Sequence, residues 1–169
     1  MFDEVAKLKK VNNMISQFED FESAVPQSLP DQTSLVLSSG LGLDVRLFPG
    51  SPPVAITRAS SDQGGHGFQY LSIGVNESSF NQTLLKLPGT NFTTVEFTLW
   101  AEDDVPDLRL SVVYYVDVGL PEQKVYTAPV GKKLVVGYTA PSGGYITHLL
   151  LGSAQGGNGA IAYDSMRWS

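Results

Sequence analysis

Aromatic and charged side chains alternate with apolar ones along residues 94–118. Trp100 and Glu96 alternate with the apolar positions of the first half, and Tyr115 and Arg109 do the same in the second half. Because successive side chains of a strand point to opposite faces, these four residues are predicted to share the mixed face of one β-hairpin. Two large aromatic rings on that face need a cover, which is either a second layer of protein or a ligand.

No arrangement of residues in the sequence indicates catalysis. His66 and His148 are far apart in the chain, and His148 lies in an apolar stretch where a packed histidine is the common outcome. The sequence has no Gly-x-Ser-x-Gly nucleophile motif. Asp103 and Asp104 could act as paired carboxylates in glycoside hydrolysis, but they lie in a predicted turn with no cleft. We therefore predict that the chain is not an enzyme.

Composition favours an all-β domain. The 169 residues suffice for one domain with a substantial core. Only 17% of the residues are charged, whereas 17 glycines and 10 prolines supply turn residues, and this combination is typical of many short strands. About ten or eleven strands can be placed at spacings that are typical of a sandwich or barrel. We predict that the first and last strands lie side by side, because this removes exposed edges. The predicted core between two antiparallel sheets consists of Phe97, Leu99, Leu110, Val112, Val116, Leu134, Val136, Leu149 and Leu151.

The charge of the chain excludes several classes of partner. A net charge of −6 without a substantial Lys/Arg cluster argues against nucleic acid and against anionic membrane surfaces. The absence of cysteine excludes disulfides and thiolate metal sites. The sequence shows neither a secretory signal nor an apolar run long enough to span a membrane, so no membrane insertion is expected.

Residues 1–17 carry the only helical pattern of the sequence. Apolar residues recur there at steps of three or four, which predicts a short N-terminal helix or linker ahead of a β domain at 18–169. This helix has two possible roles: it packs on the sandwich, or it forms a homo-oligomer. The sequence does not decide between them, because the apolar stripe is too short to establish a coiled coil.

The order of motifs along residues 18–169 resembles a known family. The chain contains, in order, Phe21-Glu22, YLSI, VEFTLWAEDDVPDLRLSVVYY, YTAP, ITHLLLGS and AYDSMRW. It resembles the β-jelly-roll carbohydrate-binding modules of the galactose-binding-like group, such as those of families 4 and 9. The resemblance implies a two-sheet antiparallel jelly-roll sandwich, a glycan or polysaccharide partner and an extracellular, cell-surface or virion-surface location.

The same resemblance implies a structural calcium ion. Modules of this group often bind calcium between the first and last strands, and Glu22 and Asp164 occupy the matching positions. Calcium prefers six to eight oxygen ligands, so two carboxylates with backbone carbonyls would suit it. The sequence departs from the family pattern at Ser165, where a second aspartate is usual. Ordinary surface carboxylates are the alternative interpretation of these two residues.

Two functions fit the predicted fold. A lectin-like module would bind glycans through Trp100 and Tyr115, with Arg109 and Glu96 as polar neighbours, because sugar rings stack on aromatic rings and their hydroxyls need fixed partners. A structural or adhesion module of a bacterial or phage surface or tail assembly would instead bury these aromatic residues against protein.

Overall fold

The computed structural model describes residues 17–63, 67–154 and 157–169, which form a sandwich of two antiparallel β-sheets. This confirms the predicted all-β class. The predicted N-terminal helix and its role in oligomerisation lie outside the described residues, apart from Gln17, which begins the first strand. Within the described ranges, no helix has the length and apolar character needed to cross a membrane.

The strands of the described residues are numbered in chain order. They are β1 (Gln17–Glu19), β2 (Gln27–Ser28), β3 (Ser34–Val36), β4 (Gly42–Leu47), β5 (Val54–Arg58), β6 (Gln69–Val75), β7 (Asn81–Lys86), β8 (Thr94–Ala101), β9 (Arg109–Val116), β10 (Glu122–Thr127), β11 (Leu134–Thr139), β12 (Ile146–Ala154) and β13 (Gly159–Trp168).

The first sheet has the order β11-β8-β13-β6-β5-β2, and β1 pairs with β13 beside it. The second sheet has the order β10-β9-β12-β7-β4-β3. The antiparallel pairing of β1 with the end of β13 confirms the prediction that the first and last strands lie side by side. This pairing covers backbone groups that would otherwise form an exposed sheet edge.

The predicted hairpin over residues 94–118 is wrong. Both strands exist, but β8 pairs with β11 and β13 in the first sheet, whereas β9 pairs with β10 and β12 in the second. The acidic segment 102–108 therefore crosses from one sheet to the other instead of closing a hairpin. Alternation along a strand identifies its two faces, but it does not identify the strands on either side.

The core lies between the sheets and contains the residues that alternation placed there. Side chains that are at least nine-tenths buried include Phe97, Leu99, Leu110, Val112, Val136, Leu149 and Leu151, and the predicted Val116 and Leu134 pack against them while partly buried. Aromatic pairs join the sheets and strands: Phe97 stacks on Tyr163 at 4.7 Å between ring centroids, and Tyr114 stacks on Tyr138 at 3.9 Å. Full burial of each large apolar side chain contributes about 1.5–3 kcal/mol.

Two strand glycines of the first sheet offer a matched test of this packing. A Cβ on Gly74 would lie 2.7 Å from the Pro53 carbonyl oxygen and 2.8 Å from Cβ of Pro52, whereas a Cβ on Gly137 would meet nothing within 4 Å. We expect Gly74→Ala to lower the free energy of unfolding by about 1–3 kcal/mol through overpacking. Gly137→Ala should change it by less than about 0.5 kcal/mol. Denaturant unfolding measures both, and equal effects would contradict the close packing at Gly74.

Candidate functional site

Trp100 lies on the outer face of the first sheet and is covered there. Its side chain is only 7% exposed and packs with Ala162 and Tyr70, whose ring centroid is 5.4 Å away in an edge-on arrangement. The Lys133 ammonium lies 4.0 Å from the centroid of the Trp100 ring, in cation–π geometry. Trp100 therefore lacks the open ring face that stacking on a ligand requires.

Tyr115 lies on the outer face of the second sheet. It is half-buried, and its ring stacks on His148 of the neighbouring strand at 4.2 Å between centroids and 17° between planes. Because β8 and β9 belong to different sheets, Trp100 and Tyr115 are on opposite sides of the sandwich. The prediction that the two rings form the centre of one surface is therefore wrong.

The two predicted polar neighbours separate in the same way. Glu96 is on the outer face of the first sheet, where it lies opposite Arg167 and Gly137 in the strand register. Arg109 is exposed on the outer face of the second sheet, opposite Ala154 and Thr127. The structure thus groups Glu96 with Trp100 and Arg109 with Tyr115, and the ligand-binding role of all four stays a prediction.

The surroundings of Trp100 are acidic and tightly packed. Burial raises the pKa of Glu102, and the neighbouring hydroxyls of Ser72 and Tyr70 lower it in part. Burial, followed by the charge of Glu102, raises the pKa of Tyr70 to about 12. Burial also lowers the pKa of Lys133. Trp100, Tyr70 and Lys133 therefore pack against one another, and an open depression of about 560 Å³ lies beside them, lined by Trp100, Glu102 and Lys133.

A groove crosses the outer face of the second sheet. One depression of about 530 Å³ lies over β3, β4 and β7, and another of about 270 Å³ extends over β7, β12, β9 and β10. Gln82 and Leu150 line both depressions, so the two adjoin, and together they are called the groove. Gly152 adds no side chain to the floor between Gln82 and Ser111, its partners on the two adjacent strands. The missing side chain leaves room for a ligand above the sheet.

Aromatic rings flank this groove at two corners. Tyr115 and His148 form one pair, in the same cross-strand row as Lys86. Phe48 and Phe80 form the other pair, with ring centroids 4.9 Å apart and exposures of 43% and 49%. The sequence prediction missed His148, Phe48, Phe80 and Gln82. His148 had been assigned to packing, and only the strand order places these residues on one surface.

Polar side chains are held in fixed positions along the groove. The Lys86 ammonium lies 2.6 Å from a carboxylate oxygen of Asp44, and this contact, with a hydrogen bond from Ser34, lowers the pKa of Asp44. Burial and then the charge of Lys86 lower the pKa of His148, which favours the neutral form of its ring. The groove therefore combines neutral, flat ring surfaces with fixed hydrogen-bonding groups.

Glu22 and Asp164, the predicted calcium ligands, are close to a shared buried region. Oε1 of Glu22 accepts hydrogen bonds of 2.6 Å from the backbone N–H groups of Phe68 and Gln69. Asp164 is fully buried, and its Oδ1 accepts from the backbone N–H of Ser165. Burial, reinforced by the charges of Asp20 and Glu22, raises the pKa of Asp164 to about 8.

Two buried oxygens in this region fit a hard cation. Among the described residues, Oδ2 of Asp164 and Oε1 of Gln69 have no hydrogen-bond partner, while Nε2 of Gln69 donates to the carbonyl oxygen of Glu22. Carboxylate, amide and carbonyl oxygens are the ligands that calcium prefers. No group of three or more His, Cys, Asp or Glu side chains with metal-binding geometry occurs in the described part of the chain, so backbone oxygens would have to complete the coordination.

Solved structures with a similar fold include carbohydrate-binding modules and an adhesin domain. A family 61 carbohydrate-binding module in complex with β-1,4-galactotriose is 12% identical, with a TM-score of 0.54, 75% of this chain covered and 87% of that chain. A family 29 carbohydrate-binding module is 10% identical, with a TM-score of 0.51 and coverages of 85% and 84%. The K2 cleaved adhesin domain of Lys-gingipain is 15% identical, with a TM-score of 0.51 and coverages of 91% and 99%. No protein-family model and no curated protein matches the sequence.

The contrast between Trp100 and Tyr115 generates a prediction about stability. We expect Trp100→Ala to lower the free energy of unfolding by about 3 kcal/mol or more, because it empties a buried cluster. We expect Tyr115→Ala to lower it by about 1 kcal/mol or less, because this ring is partly open to solvent. Urea unfolding of both variants checks the contrast. A small effect at Trp100 would show that its ring is available to a ligand after all.

Proposed function

We propose that this domain is a non-catalytic, lectin-like module that binds a glycan along the outer face of the second sheet. The observation that carries the proposal is the groove of two adjoining depressions over β4, β7, β12 and β9, with an aromatic pair at each of two corners of this face. An extended chain of sugar rings matches a long, open groove better than a small, enclosed molecule does.

The chemistry of the groove suits sugars. Sugar rings present apolar C–H faces that pack on aromatic rings, and their hydroxyls need fixed donors and acceptors. The stacked rings of Tyr115 and His148 offer such a surface, and Lys86 lies in the same cross-strand row. Gln82 and Arg109 offer hydrogen-bonding groups further along the same face, on β7 and β9. Trp100 and Glu96 are not part of this proposed site, because they belong to the other side of the sandwich.

The likeness in fold to the family 61 and family 29 modules supports the proposal. We also propose that this domain belongs with the modules of families 4 and 9, which its sequence resembles. A similar fold is compatible with different functions, so the groove carries the argument. We further propose that the domain acts outside the cell or on a cell or virion surface, where polysaccharides are accessible.

A structural or adhesion module is the second candidate function. The likeness to an adhesin domain over 91% of this chain favours it. So do two apolar side chains of the turn between β9 and β10, Val118 and Leu120, which are 61% and 89% exposed. Exposed apolar side chains on a loop tip are typical of contacts with another protein.

The groove proposal can be tested with two glycine substitutions. Gly152 and Gly137 both face outward from strands, but Gly152 lies in the groove and Gly137 lies on the opposite side of the sandwich. After a glycan array identifies a ligand, we expect Gly152→Leu to weaken its binding at least tenfold in calorimetry, because the new side chain fills the groove. Gly137→Leu, the matched control, should leave the affinity unchanged.

Two results would contradict the groove proposal. If both leucine variants bind normally, the ligand lies elsewhere on the domain. If no glycan on the array binds, the structural or adhesion function gains support, and capture of a defined surface protein through Leu120 becomes the next test.

We also propose that Asp164 binds a structural calcium ion with Gln69 and backbone oxygens near Glu22. The two buried oxygens without partners support this proposal, since a buried polar atom without a partner costs about 1–3 kcal/mol. The ion would join β13 to the loop after β1, and it would therefore stabilise the pairing of β1 with β13.

Removal of calcium tests the metal proposal. A ligand held only by the folded state stabilises by mass action, so a chelator should lower the melting temperature and added calcium should restore it. Asp164→Asn should abolish this response, whereas Asp103→Asn, in the exposed crossing segment, should retain it. Elemental analysis must first show bound metal in the sample. An unchanged melting temperature after chelation of that sample would rule the site out.

A further inference from the structure

The two outer faces of the sandwich differ in charge. The chain as a whole has 11 Lys and Arg against 17 Asp and Glu. On the outer face of the second sheet, by contrast, the outward-facing strand positions carry three cations, Arg46, Lys86 and Arg109, and one carboxylate, Asp44. The groove face is therefore cationic on an acidic protein.

The single carboxylate of this face is already neutralised. Asp44 pairs with Lys86 at 2.6 Å and feels the charge of Arg46 more weakly, so one carboxylate faces three cations on the strands of this face. Within the described residues, neither of these guanidinium groups forms an ion pair. Two further carboxylates lie at the rim, and each is engaged by a backbone N–H: Asp31 accepts from Leu47, and Asp117 accepts from Tyr145.

The two arginines lie on the outer strands of the run β4, β7, β12 and β9. Arg46 lines the groove on β4, and Arg109 lies beyond its lining on the outer face of β9. Arg46 shares a cross-strand row with Gln82, Gly152 and Ser111, and Arg109 lies one outward position further along β9. Three strand spacings and two residues of rise separate them, a distance of about 16 Å. A ligand that contacts both must therefore be a chain of several rings with negative charges at separate points.

We infer that the ligand of the groove is an acidic oligosaccharide whose uronic-acid carboxylates bind Arg46 and Arg109. This inference rests on the proposed glycan-binding function and names the class of glycan. The planar fork of a guanidinium group matches a carboxylate, with two parallel N–H···O contacts. Neutral rings of the same chain would lie over the floor between the arginines, where Leu150 and Gly152 provide apolar contact and space.

The competing anion is a sulfate ester, and the geometry favours the carboxylate. Among the described strand residues of this face, the two cations without an ion pair, Arg46 and Arg109, are far apart, which suits a chain with a charge on only some of its rings. A densely sulfated chain would be expected to need a continuous basic patch, since its affinity depends on many simultaneous ionic contacts. The described part of the groove has no such patch.

Calorimetry of the full chain with a defined set of glycans tests this inference at one fixed calcium concentration. The acidic probes are fragments of hyaluronate, in which uronic acids alternate with neutral rings, and fragments of polygalacturonate and alginate, in which every ring carries a carboxylate. The neutral probes are methyl-esterified polygalacturonate, which keeps the backbone and loses the charge, and β-1,4-galactan. Sulfated dextran probes the competing anion. We expect at least one uronate to bind about tenfold or more tightly than every neutral probe, and its affinity to fall as NaCl rises.

Charge-removing variants locate the contact. Arg46→Gln and Arg109→Gln should each weaken uronate binding about tenfold, because each removes one charge-assisted contact. Lys132→Gln, which removes the same charge from an exposed turn on the other side, should leave affinity unchanged. Both arginines are exposed, so all three variants should retain the wild-type melting temperature.

The outcomes separate this inference from the proposed function. Equal binding of neutral and acidic probes, or normal binding by both arginine variants, would overturn the acidic ligand and leave glycan binding intact. Binding of sulfated dextran alone would overturn the carboxylate. Failure of every probe and of a general glycan array would overturn the glycan-binding function itself.

Discussion

The pairing of β13 with three other strands is the interaction on which the rest of the structure depends. This strand pairs with β8 on one side and with β6 on the other. Its end also pairs with β1, so the first and last strands lie side by side in the first sheet. Its inward side chains, including Tyr163 and Trp168, are among the largest fully buried ones. Nε1 of Trp168 also donates to the Gln17 side chain at 2.5 Å. At Ser165, with φ at 52°, the register shifts, and this irregularity follows the buried carboxylate of Asp164.

The sequence predicted the strands and the core because both follow from alternation. Phe97, Leu99, Leu110 and Val112 were assigned inward by period two, and all are buried. The closure of the first strand onto the last was also predicted, since it removes an exposed edge. The partner strands of β8 and β9 could not be predicted in the same way. Strand order depends on contacts between residues far apart in sequence, which local patterns do not encode.

The candidate site was only partly predictable for the same reason. Tyr115 and Arg109 were identified as outward-facing residues with binding chemistry, and they lie on the groove face. Trp100 had the same pattern, but Lys133 and Tyr70 cover it, and those contacts come from distant parts of the chain. His148 was assigned to packing within an apolar strand. It lies instead beside Tyr115 on the outer face, because β12 pairs with β9 in the second sheet.

The assignment of one side of the sandwich to packing and the other to binding is the central claim. Backbone amide shifts in an NMR titration with a bound oligosaccharide test it most directly, because they report every strand of both sheets at once. We predict that the largest changes fall on β4, β7, β12 and β9, around Gly152 and Tyr115, and that β8 and β6 around Trp100 remain unchanged. Changes centred on Trp100 and Tyr70 would contradict the account.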